Sequence, residues 1–136
     1  MLARIAQRGK TLHANNSFIT NISFKNFLEL PLELPRCYQI GKEHVHFINE
    51  DKITDIKNKH RCYYLENNQL NNITGLLTIN CTKDTIYLID GIHRFKAYNI
   101  LYEKYNIKDF NITIESWNVD NVNDVYNNYK IIHKKK

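Results

Sequence analysis

Tyr87-Leu88-Ile89-Asp90-Gly91-Ile92-His93-Arg94-Phe95-Lys96-Ala97-Tyr98 is the stretch from which the fold can be read. Thr85 to Ile89 is β-branched and nearly all apolar, the mark of a central strand. Asp90-Gly91 breaks that run. Ala97, Tyr98, Leu101 and Tyr105 then recur at helical spacing, which predicts a helix from Ile92 to Tyr105. A strand that turns at once into a helix presents the unpaired first amides and the positive end of the helix dipole. Gly91 lets the backbone turn sharply and removes a Cβ from the path of a ligand. His93 and Arg94 add two donors, and a guanidinium fork suits phosphate oxygens. The segment therefore reads as an anion site at Gly91, Ile92, His93 and Arg94. The structural alternative is that Asp90 is a plain helix N-cap and Gly91 a turn residue.

Outward from this stretch, Leu76 to Asn80 forms a second strand, joined to the first by a turn at Lys83-Asp84. Phe110 to Val119 alternates apolar and polar residues, as a half-buried strand does, and Asp120 to Ile132 reads as a last helix. Upstream, Phe18 to Leu28 supplies a strand and a short helix, ended by the bend between Pro31 and Pro35. His44 to Lys59 has helical spacing at Val45, Ile48, Ile53 and Ile56, and Asn67 to Asn72 reads as a polar loop. Interleaved strands and helices place the chain in the α/β (mixed α+β) class, a small mixed sheet flanked by helices.

The chain has 136 residues, room for one domain. Its net charge is +5, but Arg4, Arg8 and Lys10 give +3 in residues 1–10 and Lys134 to Lys136 another +3. The body between is close to neutral. The expected division is a flexible basic arm at 1–16, a domain at 17–132 and a basic tail at 133–136. The termini are where non-specific attraction to DNA would reside. Four glycines and two prolines exclude collagen-like composition, and no apolar run approaches the ~20 residues of a membrane span, so no membrane partner is expected. Cys37, Cys62 and Cys81 are an odd set without metal spacing; they read as small core residues of an intracellular protein in a reducing compartment, cytoplasm or nucleus. The acid-free first 28 residues also have the composition of a mitochondrial transit peptide, the lesser reading. His44 and His46 find no third ligand, so no metal site is assigned. Tyr63, Tyr64, Tyr87, Tyr98, Tyr102 and Tyr105 read as core-edge residues, and Trp117 as core.

Asp90-Gly91-Ile92-His93-Arg94-Phe95-Lys96-Ala97 resembles the D-G-x-H-R-x-x-A signature of the ParB/sulfiredoxin superfamily. The resemblance covers about residues 17–132, with Pro35-Arg36 where relatives carry a Pro-Arg or Arg-Pro pair. It implies a pocket for nucleotide phosphates, with ATP or CTP as ligand, Mg²⁺ as a companion ion and Arg36 as a second phosphate ligand. It points to DNA metabolism, with a phosphate-ester or phosphoanhydride hydrolase or transferase (a nuclease, NTPase or CTPase) if the protein turns over. Asp90 and His93 are then the candidate catalytic residues: Asp90 caps the helix or holds Mg²⁺ through water, and His93 shuttles a proton. Two departures limit the resemblance. Sulfiredoxins carry their catalytic Cys where this chain has Ile92, which cannot form a thiosulfinate. Partition proteins have Arg-Arg in this box and continue into a helix-turn-helix domain, for which the residues up to Lys136 leave no room. A non-catalytic interaction module is the alternative expectation, and a sulfiredoxin-type redox enzyme the third.

Overall fold

The computed structural model describes residues 15–34, 48–70 and 75–133, together with the backbone of 4–5 and 10–11. Seven strands lie there: β1 (Arg4–Ile5), β2 (Lys10–Thr11), β3 (Asn16–Ser23), β4 (Leu32–Glu33), β5 (Leu76–Cys81), β6 (Ile86–Asp90) and β7 (Asn111–Asn118). The helices among the described residues are α1 (Phe24–Leu28), α2 (Glu50–Asn67), α3 (Ile92–Glu103) and α4 (Val122–Ile132). β1 and β2 pair with each other inside the segment read as a basic arm. The remaining five strands form one mixed sheet in the order β3-β7-β5-β6-β4.

The β5–β6 hairpin forms as the two strand-like runs and the turn at Lys83-Asp84 predict. Thr82 closes it: its N–H donates to Thr85 O at 2.9 Å, and its hydroxyl accepts from Thr85 N–H at 3.0 Å. β7 lies between β3 and β5, antiparallel to the first and parallel to the second. The expectation of a half-buried β7 is corrected: Ile114 to Trp117 are buried on both faces. Glu115, placed by alternation on a polar side, is buried on the face that carries Thr78 and Asn80, while Trp117 is core as expected. The bend before Pro35 hides a further strand, since β4 pairs parallel with β6 at Leu32↔Ile86 and Glu33↔Tyr87.

Alternation separates the two faces of the sheet. Leu77 and Ile79 face α1 and α3, where Phe24 meets Tyr98 edge-on with ring centroids 6.0 Å apart and stacks on Phe110 at 5.1 Å. Ala97 is fully buried on that side. Asn80 faces the other way and accepts a 3.0 Å hydrogen bond from the buried Asn128 of α4. At the end of α4, His133 Nε2 lies 2.6 Å from the Ile89 carbonyl oxygen, so this residue of the expected tail is tied to β6.

α2 packs on α3. Asn49, its N-cap, meets His93; His60 meets Tyr98 further along; Lys57 and Arg61 reach Tyr105 near the end. The two helices therefore run in the same direction with their N-termini together. α2 begins at Glu50 and continues to Asn67, later at both ends than the spacing of Val45 to Ile56 predicts; Asn68 ends it in the left-handed conformation, φ +60°. Cys62 on its outer face is exposed, not core. No helix of the described residues is long and apolar enough to cross a membrane.

Candidate functional site

β6 delivers the chain to Asp90, and Gly91 swings it into α3 with φ +92°, ψ +24°. Only glycine takes this conformation without steric cost. A Cβ on Gly91 would stand 2.5 Å from Leu77 Cδ2 and 3.2 Å from the Leu76 carbonyl oxygen. The missing side chain thus lets β5 pack against the turn; the space freed is filled by Leu77 and is no ligand path. Gly91 itself is the N-cap of α3 and makes no side-chain cap bond. Asp90 as helix cap is therefore corrected: it ends the strand, and its Oδ1 accepts from the Gly91 N–H at 3.0 Å. One residue too early in the chain, its carboxylate closes the turn and leaves the first helical amides to other partners.

Ile92 is buried in the core, so only its backbone faces the turn. His93 is 6% exposed, and its Nε2 accepts a 3.0 Å hydrogen bond from the Asn49 N–H. That bond uses the ring lone pair, which places the imidazole proton on Nδ1. His93 therefore ties the start of α2 to the start of α3. Arg94 is exposed and donates from one guanidinium nitrogen to the Leu76 carbonyl oxygen at 3.2 Å.

Gly75, which the sequence reading passed over, and Tyr98, which it placed at the core edge and the structure buries fully, complete the site. Gly75 lies against Arg94 and Tyr98: a Cβ there would come within 2.4 Å of Arg94 Cδ and 2.6 Å of the Tyr98 hydroxyl. Nothing in Thr74-Gly75-Leu76 marks this glycine, because both of its neighbours come from a helix some twenty residues later. Tyr98 is fully buried and its hydroxyl has no hydrogen-bond partner among the described residues. Burial pushes its phenol up to about 12, against a smaller opposite pull from the Arg94 charge.

These residues bound a cleft of about 500 Å³ between α2, α3 and Gly75, lined also by Lys52, Ile56, Lys59 and His60. Lys52 and Lys59 bring cations from α2 that the sequence reading did not connect to the turn. Among the described residues, Lys52, Lys59 and Arg94 set three positive charges in this cleft against the carboxylate of Asp90. His60 turns Nδ1 to the Ile56 carbonyl oxygen at 2.8 Å, its own helix turn. Among the described residues no group of three or more His, Cys, Asp or Glu side chains gathers as for a metal ion. Arg36, His44 and His46 lie outside the described residues, as do the lysines of the C-terminal tail. A larger hollow of about 700 Å³, lined by Lys25, Leu70, Tyr102, Lys108 and Asp109 among others, shares no residue with the turn. The helix start at its wall is that of the five-residue α1, which Ser23 caps by accepting from the Asn26 N–H at 3.1 Å, so the smaller cleft is the stronger candidate for an anion.

With the geometry in hand, comparison with protein-family models, curated proteins and solved structures gives no match to this chain.

Proposed function

We propose that the α2–α3 cleft binds the phosphate of a nucleotide or nucleic acid, and that the protein acts in DNA metabolism as a ParB-like domain. The observation that carries this reading is the meeting of the uncapped N-terminus of α3 with Lys52, Lys59 and Arg94 in one cleft. Helix dipole and side-chain cations both favour an anion there. The D-G-x-H-R-x-x-A resemblance supports phosphate over other anions. In this reading Arg94 leaves the neutral Leu76 carbonyl for an anionic phosphate oxygen, a better acceptor for a guanidinium. Asp90 would supply a carboxylate beside a phosphate-bound Mg²⁺, with ATP or CTP as the nucleotide. A phosphate-ester or phosphoanhydride hydrolase or transferase would then use Asp90 and His93.

The second reading, a binding module without turnover, is favoured by His93. Its Nε2 is committed to Asn49, so it acts by positioning α2 and holds no lone pair for a substrate proton.

Calorimetry with ATP, CTP and a short DNA, with and without Mg²⁺, tests the site. Arg94→Ala should weaken binding about tenfold to a hundredfold and leave the melting temperature near the parent's. Equal binding by parent and variant would show that the β6–α3 turn is only a helix start. Phosphate release above background would select the enzyme over the module.

A further inference from the structure

We propose that Tyr98 is a ligand-binding residue whose hydroxyl donates to an oxygen of a terminal phosphate seated at the floor of the cleft. This rests on the phosphate reading of the same site.

A buried hydroxyl without a partner costs a protein stability, about 1–3 kcal/mol, and is uncommon for that reason. Tyr98 is such a group: it is fully buried, and its hydroxyl makes no hydrogen bond among the described residues. A phenylalanine would fill the same space among Phe24, Phe110 and His60, whose rings surround it with centroids at 6.0, 6.1 and 5.5 Å. Packing therefore gives the oxygen no role. Its position does. Tyr98 is one of the residues that line the cleft, and its hydroxyl lies at Gly75, where the absent Cβ leaves room for it and for the Arg94 side chain together.

Arg94 lies across this notch, held by one bond to the Leu76 carbonyl oxygen. An anion entering the cleft draws the exposed guanidinium away from that neutral acceptor and uncovers the hydroxyl. The phenol is protonated at every physiological pH, so it can donate but carries no charge. Donors at the floor of a cleft suit a group that enters head-on. A terminal phosphate does so, offering three oxygens to Arg94, Tyr98 and the lysines at the wall. A phosphodiester inside a nucleic-acid strand has chain on both sides and two free oxygens.

The test uses Tyr98→Phe in the full chain. The probes are inorganic pyrophosphate, a 5′-phosphorylated oligonucleotide and the same oligonucleotide with hydroxyl ends. Calorimetry and thermal melts are run on parent, Tyr98→Phe and Arg94→Ala. The expected result is that Tyr98→Phe melts at or above the parent temperature, yet binds both phosphate-terminated probes about tenfold or more weakly. Unchanged binding by Tyr98→Phe alongside loss in Arg94→Ala overturns this inference alone. A melting temperature lowered by several degrees also overturns it, because the hydroxyl would then serve the fold. Equal binding of the hydroxyl-ended oligonucleotide overturns the terminal-phosphate assignment. No binding of any probe by the parent removes the phosphate reading, and this inference with it.

Discussion

Replacing Gly91 by alanine puts one methyl group at the junction on which sheet, helix and cleft all depend. Two costs add. The backbone sits at φ +92°, where an L-residue is disfavoured by about 1–2 kcal/mol. The new Cβ would stand 2.5 Å from Leu77 Cδ2 and 3.2 Å from a strand carbonyl oxygen, far inside contact distance. Leu77 is fully buried and has no solvent to swing into, so the overpacking cost of about 1–3 kcal/mol applies in full. Together these give about 2–5 kcal/mol, a large part of the 5–15 kcal/mol typical of a domain. For a chain of this size, thermal melts followed by circular dichroism should drop by roughly 8–20 °C. Gly75→Ala is the instructive contrast. Its overlap is with the movable Arg94 side chain and the Tyr98 hydroxyl, and it should damage the cleft more than the fold. A Gly91→Ala protein melting within about 2 °C of the parent would refute the packing argument, and with it the claim that this glycine serves the sheet.

Alkaline pH should weaken the protein through Tyr98. Below pH 10 the phenol is protonated folded or unfolded, and from 10 to about 12 only the unfolded chain ionises, so roughly 3 kcal/mol is lost across that window. Urea unfolding at rising pH should show a steeper fall in the parent than in Tyr98→Phe, and parallel falls would disprove the burial of this hydroxyl. His93→Ala removes the acceptor of the Asn49 N–H and should cost about 1–3 kcal/mol. Amide exchange at residues 49–53 should quicken more than exchange within α3; an even response would place the effect elsewhere.

The sequence makes legible what is encoded locally. The apolar runs Leu76–Asn80 and Thr85–Ile89, the turn at Lys83-Asp84 and the Asp-Gly break announce a hairpin running into a helix, and the structure has both, with ends moved by one or two residues. Trp117 and Ala97 are buried as their neighbours predict. The far half of α2 was not legible, because Arg61-Cys62-Tyr63-Tyr64-Leu65 has no continuous apolar stripe; Leu65 is 69% exposed. Pairings between distant segments left no local trace either. β4 joins β6 over only two residues, and Gly75 owes its identity to Arg94 and Tyr98. The candidate site was half visible: the turn and Arg94 stand in one motif, while Lys52, Lys59 and Tyr98 enter only when α2 lies parallel on α3.

The pairing of β3 with β7 sets a clock on biosynthesis. Asn21 and Thr113, hydrogen-bonded across the two strands, are 92 residues apart in the chain. Ribosomes add roughly 5–20 residues per second, so β3 waits about 5–20 s for its partner to be made. Such long-range pairing also slows refolding of the finished chain, since loop closure precedes any reward. The sequence of β3 suits the wait. Phe18 and Ile19 remain 51% and 64% exposed even after docking, so the unpaired strand hides little apolar surface that the finished protein would bury. The hairpin, α3 and β7 can assemble as a nucleus from contiguous chain, with the N-terminal strand closing the sheet last.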